Sequence, residues 1–136
     1  MPKSRSLVVV LLVVLWAISG CGEDNDTPTE PGNHSEFYVE NASSVEFEVH
    51  TETNTTYPLT NVVAPGETVR LSIMAGGTYT EFTPPSAALV EIELRSVDSG
   101  TVLYRQRPVE DASWESVHGG VRVTAYTLVI RDGNLD

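Results

Sequence analysis

Apolar and polar side chains alternate residue by residue along much of this chain, and that period alone rules out most folds. In 45–52, Val45, Phe47 and Val49 face one way while Glu46, Glu48, His50 and Glu52 face the other. Val69, Leu71 and Ile73 repeat the pattern in 68–74. Val90, Ile92 and Leu94, set against Glu91, Glu93 and Arg95, repeat it in 88–97. A period of two is that of a half-buried strand, because successive side chains leave a pleated backbone on opposite faces. Helical spacing is nearly absent from these stretches.

Turn residues punctuate the alternation. Asn54-Thr55-Thr56, Ala64-Pro65-Gly66-Glu67, Gly76-Gly77, Asp98-Ser99-Gly100 and Gly119-Gly120 each end one run and open another. Tyr57 to Val63 reads as a short or edge strand weakened by Pro58. Pro84-Pro85 forbids ladder pairing and marks a crossing loop. Pro108 to His118 does not alternate and suggests a short helical turn capped by Asp111, while Val121 to Arg131 is long and apolar, as a central strand would be. Residues 37–131, about 95 positions, suffice for one small core. The spacing predicts an all-β fold, a single small antiparallel β-sandwich of seven or eight strands, similar to immunoglobulin-like sandwiches, with 132–136 as a C-terminal tail.

The first residues follow a different rule. Lys3 and Arg5 precede Leu7–Ile18, an unbroken apolar run of about a dozen residues, too short to span a bilayer core. Ser19-Gly20 then leads to Cys21, the one cysteine of the chain. Ile18-Ser19-Gly20-Cys21 resembles the lipobox of bacterial lipoprotein signal peptides. The resemblance covers residues 1–21. It implies removal of 1–20, a diacylglyceryl thioether and palmitate on Cys21, and membrane attachment through more than one acyl chain, as stable anchoring requires. It also implies that no thiol remains for a disulfide. The alternatives are an uncleaved N-terminal helix, against which the run length speaks, and a signal without lipid, against which the placement of the sole cysteine speaks.

Residues 21–36 then read as the lipidated Cys21 and an acidic, flexible tether. Gly22 to Glu36 has no large apolar side chain and is rich in Pro, Gly, Asp, Glu and Thr. Such a segment spans on the order of 20 Å and holds the domain off the lipid. Gly22 stands where an Asp would resemble an inner-membrane retention signal. The expected location is therefore membrane-anchored and extracytoplasmic, at the outer membrane if the envelope is Gram-negative. Glu23, Asp24 and Asp26 resemble the acidic run of surface-exported lipoproteins, so the periplasmic side and the cell surface both stay open.

Charge narrows the partners. Loss of 1–20 removes Lys3 and Arg5 and leaves six arginines against 19 acidic side chains, a net charge of −13 with no lysine. Such a surface is repelled by nucleic acid and by anionic lipid headgroups, so binding to either is disfavoured and no nucleic-acid partner is expected.

Signatures of catalysis are missing. There is no Gly-x-Ser-x-Gly elbow, His-Glu-x-x-His, Cys-x-x-Cys, phosphate-cradling glycine loop or calcium loop. His34, His50 and His118 lie in the tether, on a strand and by a turn, with nothing to orient a nucleophile. The densest constellation is Glu46, Glu48 and His50, with Glu52, on one strand face; Glu91 and Glu93 on an adjacent strand would complete a Ca²⁺ or Zn²⁺ site. The same face read plainly is a solvated one, with Arg95, Arg105, Arg107 and Arg122 offsetting the acids across strands. Trp114, outside the alternating runs, plugs the sandwich core or, beside Tyr57, forms a stacking platform for a ligand. The expected function is a lipid-anchored, non-enzymatic envelope module, needing no cofactor, that binds an envelope protein or glycan. The alternative is a divalent-cation module using Glu46–Glu52.

Overall fold

A computed structural model of the chain describes residues 32–53, 59–76 and 81–136. Eight strands form two four-stranded sheets. The first contains β1 (His34–Asn41), β4 (Thr68–Gly76), β7 (Trp114–His118) and β8 (Val123–Ile130), in the spatial order β4-β1-β8-β7. The second contains β2 (Phe47–Glu52), β3 (Leu59–Val63), β5 (Glu91–Ser96) and β6 (Val102–Gln106), in the order β3-β2-β5-β6. The molecule is a small all-β sandwich, as the alternation predicts. No described helix is long and apolar enough to cross a membrane.

The inward positions of both sheets merge into one core. Phe37, Val39, Leu71, Leu128 and Ile130 from the first sheet meet Phe47, Val49, Val63, Ile92 and Leu94 from the second, none more than 2% exposed. Each such side chain contributes about 1.5–3 kcal/mol by leaving water. Val45, expected inward, is instead 41% exposed because β2 starts only at Phe47.

All pairings but one are antiparallel. β1 and β8 run parallel in unbroken register from His34↔Val123 to Asn41↔Ile130. The first and last strands of the domain are thus neighbours, and the rest of the chain serves as the long crossover a parallel pair requires. β1 also starts earlier than the domain boundary expected at Phe37: residues 34–36, read as tether, are strand. Ser35 and Asn41 occupy inward positions beside Phe37 and Val39, so polar residues disguise the alternation there.

Asn41 closes one end of the sandwich. It has no exposed surface, and its Nδ2 donates to the carbonyls of Val45 (2.8 Å) and Val63 (2.9 Å). Its Oδ1 accepts from the Ser43 amide (3.0 Å) and hydroxyl (2.6 Å). Its main chain takes part as well: Asn41 N–H donates to Glu67 O (2.9 Å) and Gly66 N–H to Asn41 O (2.7 Å). Gly66 reaches that position at φ +81°, which L side chains rarely adopt. One buried amide therefore joins β1 of the first sheet to the end of β3 and the approach to β2 in the second.

Two peripheral segments differ from expectation. Asp111 does not cap its own turn; the 3₁₀ turn Asp111–Ser113 follows Glu110, and β7 begins directly after it. Its carboxylate instead accepts from the Ser86 amide (2.7 Å) and hydroxyl (2.8 Å), in the first turn of α1 (Pro85–Ala88). Residues 132–136, read as a tail, are docked within the compact unit Pro31–Asp136. Asp132 Oδ1 accepts from Ser44 N–H (2.7 Å), Leu135 packs on the core, and Asp136 N–H donates to Leu103 O (2.9 Å).

Asn41→Ala removes four side-chain bonds: it takes the Asn41 partner from the Ser43 amide and the Val63 carbonyl, while the Ser43 hydroxyl and the Val45 carbonyl keep each other at 3.2 Å. It should cost about 3 kcal/mol, read as a lower urea midpoint at unchanged slope.

Candidate functional site

Among the described residues, β5 is the one strand of the second sheet with a buried run on both faces, and the buried part of its outward row is acidic. Ile92 and Leu94 point into the core, so Glu91 and Glu93 point out, yet they are only 8% and 6% exposed. Register explains the burial. His50 lies beside Glu93 and Glu52 beside Glu91 on β2, while Arg105 lies beside Glu93 on β6. Arginines of β6, of the residue just beyond it and of β5 itself close over the central carboxylates.

Three guanidiniums make that closure. Arg105 Nε donates to Glu91 Oε1 at 2.5 Å and lies 3.5 Å from Glu93 Oε2. Arg107 Nη1 donates to Glu91 Oε2 at 2.7 Å and approaches Glu52 at 4.0 Å. Arg95 Nε donates to Glu93 Oε1. The arginines stay 44%, 52% and 56% exposed at residues 95, 105 and 107, so the acids are covered while their partners remain wet. The Arg105 hydrogen bond holds the Glu91 carboxyl below the ordinary range, against desolvation that would raise it. The same contact raises Arg105. Beside this lattice lies an open pocket of about 440 Å³, lined by His50, Thr51, Glu52, Glu91, Glu93, Arg95 and Arg105.

The cation arrangement expected on this face is not assembled. Glu46 is exposed and precedes β2. Glu48 Oε2 lies 2.9 Å from His50 Nε2, so those two are occupied with each other. Glu91 and Glu93, which would have completed the ligand set, are turned to arginine. Among the described residues no group of three or more His, Cys, Asp or Glu could hold a metal ion.

Trp114 offers no stacking platform. It is 6% exposed, belongs to the core, and meets Phe37 edge-on at 6.2 Å and 88°, while Phe37 stacks on Tyr126 at 5.7 Å. Tyr57 and Cys21 lie outside the described residues. Every described aromatic ring is buried or half-buried. His118, itself exposed, has its Nδ1 2.8 Å from the Oγ1 of Thr124, which has no exposed surface.

The pairing of Arg105 and Arg107 with Glu91 from the neighbouring strand side is legible from the alternation, whereas Arg95 meets Glu93 along β5 itself and Arg122 lies in none of the described strands. The depth at which Glu91 and Glu93 sit is not legible, because it depends on β5 lying between two strands that both carry long side chains. No protein-family model matches the chain, and no curated protein or solved structure matches it significantly.

A carboxyl whose pKa is lowered on folding stabilises the fold above its ordinary value of 4.5, and that contribution is lost as the pH falls through the lowered one. Glu91→Gln should therefore flatten the acid limb of a stability–pH curve between about pH 5 and pH 2, measured by urea unfolding.

Proposed function

We propose that this protein is a lipid-anchored, non-enzymatic module of a bacterial envelope, which binds an envelope protein or glycan through the outer face of its second sheet. The observation that carries the anchoring is the Leu7–Ile18 run ending in Ser19-Gly20 and the sole cysteine, Cys21. The observation that carries the binding face is the open pocket beside the Glu91–Glu93 lattice. An exposed ion pair contributes only about 0–1 kcal/mol, and burying carboxylates costs several kcal/mol before pairing offsets it. Threonine or valine on the outward row of β5 would make a stable sheet more simply. Charged side chains held at a pocket instead suit recognition, where polar groups fix orientation and partner choice.

The net charge of −13 on the processed chain favours solubility in a crowded compartment and disfavours nucleic acid and anionic headgroups as ligands of the domain. Attachment then comes from acyl chains on Cys21, and recognition from the sandwich.

Metabolic labelling with a palmitate analogue should mark the wild-type chain in the membrane fraction and leave Cys21→Ala unlabelled and unprocessed. An unlabelled wild type with an intact leader removes the anchoring. Photo-cross-linkers on intact cells at positions 50 and 105 should capture a neighbour that one at position 70, on the first sheet, does not.

A further inference from the structure

The pocket on the second sheet has a chemistry that identifies a class of ligand. Its base is a pair of carboxylates already claimed, Glu91 by Arg105 and Arg107, and Glu93 by Arg95 with Arg105 nearby. Three guanidiniums therefore face two buried carboxylates. A guanidinium carries five N–H donors, more than such carboxylates can accept from three of them. The surplus donors belong to side chains that are about half exposed, 44% at Arg95 and 52% at Arg105, the two that line the pocket.

The acids beneath also do something for the arginines. A free arginine gives up about 2 kcal/mol of rotamer freedom when a ligand immobilises it. Here Glu91 and Glu93 hold Arg105 and Arg95 at Nε before any ligand arrives, so much of that cost is met in folding. A planar carboxylate is the group that matches a fixed guanidinium best.

The rim selects further. Glu52 is 58% exposed, lies within 4.0 Å of Arg107 and lines the pocket. Its carboxylate accepts from hydroxyls and repels a second negative charge. His50 also lines the pocket; with its Nε2 2.9 Å from Glu48 Oε2, Nδ1 is the ring nitrogen through which it can meet a hydroxyl. A volume of about 440 Å³ is far more than a lone carboxylate fills. The occupant that answers all of this carries one carboxylate for the arginines and several hydroxyls for Glu52 and His50.

We propose that the pocket binds a uronic acid residue of an envelope glycan, its carboxylate on Arg95 and Arg105 and its hydroxyls toward Glu52 and His50. The proposal rests on the reading of this face as the binding face and adds the ligand class to it. The surrounding negative charge keeps affinity for the isolated sugar weak, with Kd about 1 mM, and several uronates along a chain would raise it.

The test uses the full-length, ¹⁵N-labelled chain in detergent, following the arginine Nε–H resonances. Glucuronate should shift those of Arg95 and Arg105 saturably. Arg105→Gln and, separately, Arg107→Gln, which leaves Glu91 one arginine, should weaken binding about tenfold in the first case and less in the second. Arg70→Gln on the first sheet should change nothing. Glucose should not bind, acetate should bind more weakly than glucuronate, and sulfate more weakly still. No saturable shift with glucuronate overturns the proposal, and so does equal binding of glucose or acetate, or tighter binding of sulfate. Capture of a partner through position 105 with no response to glucuronate would sink the ligand class and leave the binding face standing.

Discussion

The sandwich depends on how its two sheets are held at one end, and there a single buried amide does the joining. Asn41 ends β1, yet its side chain bonds to the carbonyls of Val45 and Val63, which belong to the other sheet and its approach. Hydrophobic contact holds the sheets face to face but is non-directional. The amide adds direction, since its donors and acceptor are satisfied only when β1, the β1–β2 connection and the end of β3 occupy one arrangement. Gly66 and Ser43 complete the arrangement from either side. The core supplies most of the favourable energy, and the clamp supplies much of the uniqueness.

The outer face of the second sheet follows from the same order. With β5 in the middle, between β2 and β6, its outward residues have neighbours on both sides and become a floor. Glu91 and Glu93 are tolerated there because Arg95, Arg105 and Arg107 cover them, and the arginines are ordered because the glutamates lie beneath. On the opposite sheet the outward pairing of Arg70 with Glu36, at 2.9 Å, joins β4 and β1, and there Arg70 is 59% exposed.

Period-two alternation made the all-β class, the approximate number of strands and the inward set Phe47, Val49, Leu71, Ile92 and Leu94 legible from the residues. It was blind where inward positions are polar. β1 hides behind Ser35 and Asn41, and β7 hides because only Trp114 of its five residues is buried. The parallel pairing of β1 with β8 leaves no local mark at all, since it links the two ends of the domain. At the candidate site, alternation correctly sent Glu91, Glu93 and Arg95 to one face. It could not show how deep the acids sit beneath Arg105 and Arg107, so a cation site stays open beside the reading of a solvated, arginine-offset face. Trp114, one of two readings in the sequence, is a core residue because its strand brings it onto Phe37.

The placement of β1 has a mechanical consequence. The polypeptide enters the domain at His34, and β1 is bonded on both sides, to β4 and to β8, along its length. Tension arriving from the N-terminal side would pull along the strand axis, so the two ladders would resist it in shear, many bonds at once, and not peel apart one after another. A leash attached there would be gripped by two ladders at once, whereas a load applied through Asp136 would first meet its single bond to Leu103, then the packing of Leu135 and the Ser44–Asp132 bond.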